Sequence, residues 1–169
     1  EIAVGQYPVE AVRVADVTIR EAEKIYPYYK EFGRGDRTQA IAASAGRLVQ
    51  EMNSKPIVLT STGRAAFELS RFRPDADIIV FAHDEAVLRR LALAWGVYPV
   101  GVLPPEPDIA RLVEMVIEGA LNSGMVSETD VVTIVHGFLT GVSGTTNTIQ
   151  VLDLQEYLAQ RTSSAAVHR

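Results

Sequence analysis

The 169-residue chain contains no cysteine. This absence excludes a disulfide framework, a thiolate nucleophile and a zinc site built from cysteines. The chain also lacks a surplus of basic residues, since 16 Lys and Arg face 21 Asp and Glu and give a formal net charge of -5. General nucleic-acid binding needs positive charge to neutralise phosphates, so we expect no nucleic-acid partner.

Long apolar runs and the common catalytic signatures are missing as well. No run approaches the roughly 20 apolar residues that span a bilayer, so we expect no membrane partner. The chain starts without an initiator Met or signal-peptide character, and we interpret it as a piece of a longer, cytoplasmic protein. A Walker A sequence, a G-x-G-x-x-G fingerprint and a G-x-S-x-G elbow are absent, although Gly141–Gly144 approximates the elbow.

Short apolar runs alternate with helical patterns along most of the chain, and hydrophobic residues make up 47% of it. This alternation predicts an α/β fold with a mostly parallel five-stranded sheet and helices on both faces. We expect a polar linker at Glu31–Asp36 and a frayed tail from about Gln160. The predicted strands are Ile57–Thr60, Asp77–Phe81, Tyr98–Val102, Val131–His136 and Thr148–Leu152. The predicted helices are Val9–Lys24, Thr38–Met52, Gly63–Arg71, Asp84–Trp95 and Pro107–Asn122.

The strand at Ile57–Thr60 runs into three hydroxyl residues, a glycine and an Ala-rich helix. Helix N-termini bind anions because their first amides lack intrahelical partners and the helix dipole is positive there. The hydroxyls of Thr60, Ser61 and Thr62 add donors to such a site. Helix capping alone explains the same residues equally well.

Arg64 stands in the first turn of that helix. Its guanidinium is suited to gripping phosphate, although it is also compatible with an ordinary solvated side chain. The helix dipole slightly disfavours a cation at this end, so Arg64 indicates an anion nearby.

A second candidate loop follows the strand that ends at His136. It contains three glycines and several hydroxyls between two strands, which gives enough backbone freedom to fold over a ligand. Ligands of open α/β sheets bind beyond the carboxyl ends of the strands, so both loops are candidates. The histidines His83, His136 and His168 lack metal-ligand spacing, and His136 is the one placed to reach a ligand.

Four segments resemble the C-terminal part of pyruvate kinase. They are the E-I-A-V-G-Q-Y-P-V-E-A-V run of Glu1–Val12, the loop of Ile57–Ala66, the W-G-V-Y-P of Trp95–Pro99 and the G-T-T-N-T of Gly144–Thr148. Any one of them is weak, but four in order at appropriate spacing are specific. The resemblance covers essentially the whole chain apart from the tail.

The resemblance implies a division of labour within a larger enzyme. Pyruvate kinase is a phosphotransferase that acts on phosphoenolpyruvate and ADP with a divalent metal, Mg, and usually K. Those sites lie in a catalytic barrel, so we carry over no catalytic residue, metal site or cofactor to this chain and expect it to be inactive alone. The implied domains are residues 1–33 from the end of the barrel, 34–155 as the C-terminal α/β domain and 156–169 as a tail.

The same resemblance implies a phosphorylated effector, a sugar phosphate or AMP, and a homo-oligomer that is a tetramer in the full enzyme. Many effector-responsive members have Ser or Thr where Ala65 stands, and some have Lys where Ser61 stands. A stand-alone phosphometabolite-binding module and a purely structural assembly domain are the alternatives. The implied binding residues are Thr60, Ser61, Thr62, Gly63, Arg64 and Ala65 in the first loop, and Gly141, Ser143, Gly144 and Thr145 in the second.

Overall fold

The computed structural model describes residues 2–27, 30, 33, 35–137 and 145–167, with side chains as far as residue 161. Six helices and five strands lie in these ranges. In chain order they are α1 (Pro8–Glu23), α2 (Arg37–Met52), β1 (Lys55–Thr60), α3 (Arg64–Arg71), β2 (Ile78–Ala82), α4 (Glu85–Leu91), β3 (Val97–Val102), α5 (Ile109–Asn122), β4 (Val131–Gly137), β5 (Thr146–Asp153) and α6 (Leu154–Val167).

The strands form one sheet in the order β3-β2-β1-β4-β5. Neighbouring strands from β3 to β4 run parallel, and only β5 runs antiparallel to its neighbour β4. The predicted α/β fold with a mostly parallel five-stranded sheet is therefore confirmed. The order of strands reverses between β1 and β4, which makes their carboxyl ends the topological switch point of the sheet.

Both faces of the sheet are covered by helices. Along β1, Val58 packs in a cluster with α2, α3 and α4, whereas Ile57 and Leu59 pack in a second cluster with α5. Burial on both faces explains why the strand reads as a continuous apolar run and does not alternate with polar residues. The helices on both faces were predicted, and they are confirmed.

The helix predicted to extend to Trp95 ends at Leu91. Tertiary hydrogen bonds hold the following residues out of the helix. The Ser70 hydroxyl donates to the Trp95 carbonyl at 2.6 Å, and the Ile78 amide donates to the Gly96 carbonyl at 2.7 Å. The helical periodicity of the sequence cannot reveal such distant partners.

The prediction of a frayed tail from about Gln160 is wrong for the residues up to Val167, because α6 continues to that residue. Leu154 is fully buried at its start, and Tyr157 packs against the second cluster. Further along, the Arg161 guanidinium pairs with Glu114 of α5 at 3.1 Å. None of the helices in the described ranges is long and apolar enough to cross a membrane.

The helix α1 differs from the others because none of its residues is buried. Valine side chains along it are more than half exposed, as at Val9 with 64% and Val14 with 66%. Its carboxyl end is linked to the rest of the chain by the Trp95 indole, which donates to the Glu23 carboxylate at 3.2 Å. The Arg73 guanidinium lies 4.4 Å from the centre of the same indole ring.

Gly119 of α5 lets the helix approach β2 closely. A Cβ atom at this position would lie 2.8 Å from two ring carbons of Phe81, which is 2% exposed. We expect Gly119→Ala to lower the free energy of unfolding by about 1–3 kcal/mol because the packed core must shift. Urea denaturation measures this, with Gly101→Ala as the control because its Cβ meets nothing within 4 Å. Adding Phe81→Leu should recover part of the loss, and an unchanged stability in Gly119→Ala contradicts the close packing.

Candidate anion-binding site

Both candidate loops leave the sheet at the switch point. The parallel register pairs Val58 of β1 with Val135 of β4, two residues before each strand ends. The loop between β1 and α3, here called the anion loop and comprising Thr60–Ala65, therefore begins beside the end of β4. This is the edge at which α/β sheets bind ligands.

The anion loop is held by its own hydroxyl groups. The Gly63 amide donates to the buried Thr60 hydroxyl oxygen at 3.0 Å, and the Arg64 amide donates more weakly to the Thr62 hydroxyl oxygen at 3.4 Å. Gly63 is the N-cap of α3 and no side chain caps this helix, so the capping interpretation is wrong in its strict form and the two hydroxyls instead brace the turn that leads into the helix. A hydroxyl that accepts a hydrogen bond keeps its proton as a donor, so these contacts are compatible with anion binding.

Gly63 starts α3 in the left-handed region, with a φ of 86°. A Cβ atom there would lie 3.2 Å from Leu91 and 3.4 Å from Val87 of α4. A glycine is needed at this position both for the backbone conformation and for the approach to α4.

Arg64 does not project alone into solvent. Its guanidinium forms an ion pair with the Asp36 carboxylate, and both side chains are about half exposed. The anion that the sequence indicated near Arg64 is thus a carboxylate of the chain itself. Asp36 belongs to the segment predicted to be a linker, but it is the N-cap of α2.

Two residues near the anion loop were missed by the sequence reasoning. Asp36 had a local signal, because a capping box with Gln39 at the third helical position marks a helix start. Arg90 of α4 had none. Its guanidinium donates to the Thr62 carbonyl at 3.3 Å across 28 residues of sequence, and only the tertiary fold brings them together.

Residues 61 and 65, where the resemblance implies a departure from other members, have different surroundings. Ala65 is 2% exposed and packs in the cluster with α2 and α4, so this position contributes to the core. Ser61 is partly exposed at the tip of the loop. A hydroxyl on residue 61 can therefore face a ligand from solvent, whereas residue 65 offers only its backbone amide.

The second loop is anchored at the same edge. A Cβ on Gly137 would lie 2.5 Å from the Thr145 hydroxyl, so the two ends of the loop are in close contact. Of the predicted residues, Thr145 is described. Gly141, Ser143 and Gly144 lie outside the described residues, and their predicted role stays a prediction.

His136 is 2% exposed within β4, and its Nδ1 lies 3.1 Å from the Gly137 carbonyl oxygen. Its Nε2 has no hydrogen-bond partner among the described residues. His83 follows β2 and bonds through Nδ1 to the Leu103 carbonyl at 2.7 Å. These contacts involve Nδ1 of each imidazole, and the predicted contact of His136 with a ligand stays a prediction. A group of three or more His, Cys, Asp or Glu able to hold a metal is absent from the part of the chain that the structure describes.

The pKa of the Asp36 carboxyl lies below its ordinary value, first because the Gln39 amide donates to it and also because Arg64 lies beside it. The charged Asp36 carboxylate therefore stabilises the folded state. This contribution is present above a pH of about 3.9, the ordinary pKa of Asp, and is lost as the pH falls through the lower pKa of the folded state.

We expect Arg64→Ala to raise the pKa of Asp36 only part of the way, since the Gln39 amide remains. Carbon-13 NMR titration measures it, with Arg71→Ala as the control, and an unchanged pKa in Arg64→Ala contradicts the ion pair.

The α/β unit that contains the anion loop matches a known protein family. Residues 39–152, which include the anion loop and both ends of the second loop, match the family model described as "Pyruvate kinase, alpha/beta domain". The chain belongs to the pyruvate kinase family. The predicted resemblance to the C-terminal part of pyruvate kinase is thereby confirmed.

Curated pyruvate kinases align along most of the chain. Pyruvate kinase of Lactobacillus delbrueckii subsp. bulgaricus is 33% identical over 95% of this chain and 28% of its own length. Pyruvate kinase 2 of a Synechocystis species is 34% identical over 89% of this chain and 26% of its own length. Pyruvate kinase of Lactococcus lactis subsp. lactis is 35% identical over 89% of this chain and 31% of its own length. The chain thus spans about a quarter to a third of the length of these relatives.

Proposed function

We propose that the chain is the C-terminal regulatory and assembly part of a pyruvate kinase, which transfers a phosphoryl group from phosphoenolpyruvate to ADP. The family match over residues 39–152 supports this role, as does the 28% of the Lactobacillus relative that the chain spans. Phosphoryl transfer, with its Mg and K, then belongs to the larger part of a cytoplasmic enzyme. The 169 residues alone supply no catalytic group in this proposal.

The exposed helix α1 supports a place at the end of a catalytic barrel. A helix with several exposed valines and no buried residue leaves apolar surface that a further part of the protein is expected to cover. We therefore assign residues 1–33 to the barrel and its linker, and residues 34–155 to the α/β domain. The indole of Trp95 bonded to Glu23 then joins the two parts.

The anion loop is the proposed effector site, and one observation carries this proposal. At the switch point of the sheet, Arg64 is the first residue of α3 and directly follows the loop that contains Ser61 and Thr62, and its backbone amide donates to the Thr62 hydroxyl oxygen. Phosphate is the group that such donors and a helix N-terminus bind best. The ligand class is a phosphorylated small molecule, a sugar phosphate or AMP. The protein assembles as a homo-tetramer in which the ligand biases one quaternary state.

The experiment compares this chain with the protein encoded by the complete reading frame around it. Formation of pyruvate from phosphoenolpyruvate and ADP is expected only for the longer protein. Its response to AMP or glucose 6-phosphate is expected to fall in Thr60→Ala and Arg64→Ala, with Arg71→Ala unchanged. Formation of pyruvate by the 169 residues alone contradicts the proposal that the catalytic groups belong to the rest of the enzyme.

Two alternatives give different outcomes in the same experiment. A stand-alone ligand-binding module predicts that the reading frame contains no barrel upstream of Glu1, although the loop still binds a phosphorylated ligand. A purely structural assembly domain predicts that the longer protein is a tetramer by sedimentation and that Thr60→Ala and Arg64→Ala leave its kinetics and effector response unchanged.

A further inference from the structure

The ion pair between Asp36 and Arg64 connects two elements that are 28 residues apart in sequence. One Asp36 carboxylate oxygen faces the Arg64 guanidinium, and the other accepts the Gln39 amide at 3.1 Å. The Asp36 amide in turn donates to the Gln39 side-chain oxygen at 3.0 Å. Because this reciprocal cap orients Asp36, its carboxylate is held in place beside the anion loop and does not need to be recruited.

A second contact holds the start of α2 against α3 without using this ion pair. The Gln39 side-chain amide donates to the Glu68 carboxylate at 3.1 Å. Glu68 is further paired with Arg71 at 3.2 Å. Loss of the pair between Asp36 and Arg64 therefore does not release α2 from α3. The pair is free to exchange partners while the surrounding fold stays in place.

A guanidinium presents the same planar fork of N–H donors to a carboxylate and to a phosphate. The donors that face Asp36 are not available to a ligand at the same time, and two anions on one fork repel each other. We propose, on the basis of the function proposed above, that Asp36 is an internal competitor for Arg64 and limits the affinity of the loop for anions. It is a positioning residue that acts through Arg64.

The competition lowers the affinity of the loop for every anion that uses Arg64, because each must displace the same carboxylate. A phosphate monoester carries between one and two negative charges at neutral pH and three strong acceptor oxygens, so it can displace a carboxylate from the guanidinium. Removal of the Asp36 charge therefore raises the affinity for phosphate and for acetate, and the gain is at least as large for phosphate because repulsion grows with the charge of the ligand.

The test compares the wild-type chain with Asp36→Asn by calorimetric titration, using inorganic phosphate and acetate as probes. Asparagine caps a helix about as well as aspartate, so Asp36→Asn removes the charge and keeps the cap. We expect phosphate to bind about two- to fivefold more tightly, which is the range for a half-exposed ion pair, and acetate to gain no more than phosphate does. The gain should shrink as the salt concentration rises.

The matched control is Asp108→Asn. Asp108 is the N-cap of α5 and accepts the amides of Ala110 and Arg111, so this variant removes the same charge from the same kind of cap. Its phosphate affinity should equal that of the wild type. An equal gain in Asp108→Asn would assign the effect to net charge and overturn the proposal.

Two further outcomes separate this inference from the proposed function. If Arg64→Ala abolishes phosphate binding while Asp36→Asn leaves it unchanged or weaker, the loop binds anions and Asp36 is not a competitor. If the wild type and Asp36→Asn both fail to bind phosphate, the anion site itself is wrong and the competitor is wrong with it. Thermal unfolding of each variant checks that the fold is retained.

Discussion

Replacing Arg64 with alanine is expected to weaken the binding of glucose 6-phosphate to this chain by about ten- to a hundredfold. A hydrogen bond to a charged group contributes about 1.5–3 kcal/mol, and a guanidinium forms the strongest of these with phosphate. The loss should exceed the gain expected from removing Asp36, because Arg64 contacts the ligand directly in the proposed site. Calorimetric titration of both proteins measures the ratio of dissociation constants.

Two control variants distinguish a direct contact from a general effect of charge. Arg71 lies at the other end of α3 and is paired with Glu68, so Arg71→Ala should bind as the wild type does. In Arg64→Lys the positive charge remains but the planar fork is lost, so an intermediate affinity is expected. Equal affinity in Arg64→Ala and the wild type contradicts the role of Arg64.

Replacing Gly63 with valine is expected to lower the free energy of unfolding by about 2–5 kcal/mol. A side chain in the left-handed region costs roughly 1–2 kcal/mol. Its Cβ would also lie 3.2 Å from the buried Leu91 side chain, and overpacking adds about 1–3 kcal/mol. Because the loop must move to relieve the contact, phosphate binding should fall as well. Urea denaturation and calorimetric titration measure the two effects.

Gly124 provides the matched control for this substitution. It also has a positive φ, 74°, but a Cβ there meets nothing within 4 Å. We therefore expect Gly124→Val to show the conformational cost alone, about 1–2 kcal/mol, with phosphate affinity unchanged. If both glycine variants lose the same stability, the close approach of α4 to Gly63 is not significant.

The fold could be predicted from the sequence because local patterns and global architecture agree. The apolar runs of β1 and β2 are buried on both faces, as a parallel sheet requires, and Asp84, where the sequence predicts a helix to begin, is the N-cap of α4. The predicted helix boundary is wrong where contacts between residues distant in sequence determine the backbone conformation. The carbonyl of Trp95 accepts from Ser70, which draws the chain out of a helix that the sequence pattern continues.

The candidate site could be predicted only in part. The hydroxyls, the glycine and Arg64 are contiguous in sequence, so their common placement at a helix N-terminus can be predicted from the sequence. The contacts of Asp36 and Arg90 with this loop each span 28 residues and depend on how α2 and α4 pack. For the same reason, the burial of Ala65 in the core was not foreseen.

The most direct test of the central claim is a nitrogen-15 NMR titration of this chain with glucose 6-phosphate and with AMP. Site-specific binding predicts that the amides of Ser61–Ala65 shift in a saturable manner with at least one of the two ligands. The same titration in Arg64→Ala should leave these amides largely unshifted. Saturable shifts confined to residues outside the anion loop, or none with either ligand, would contradict a regulatory anion site at Thr60–Ala65.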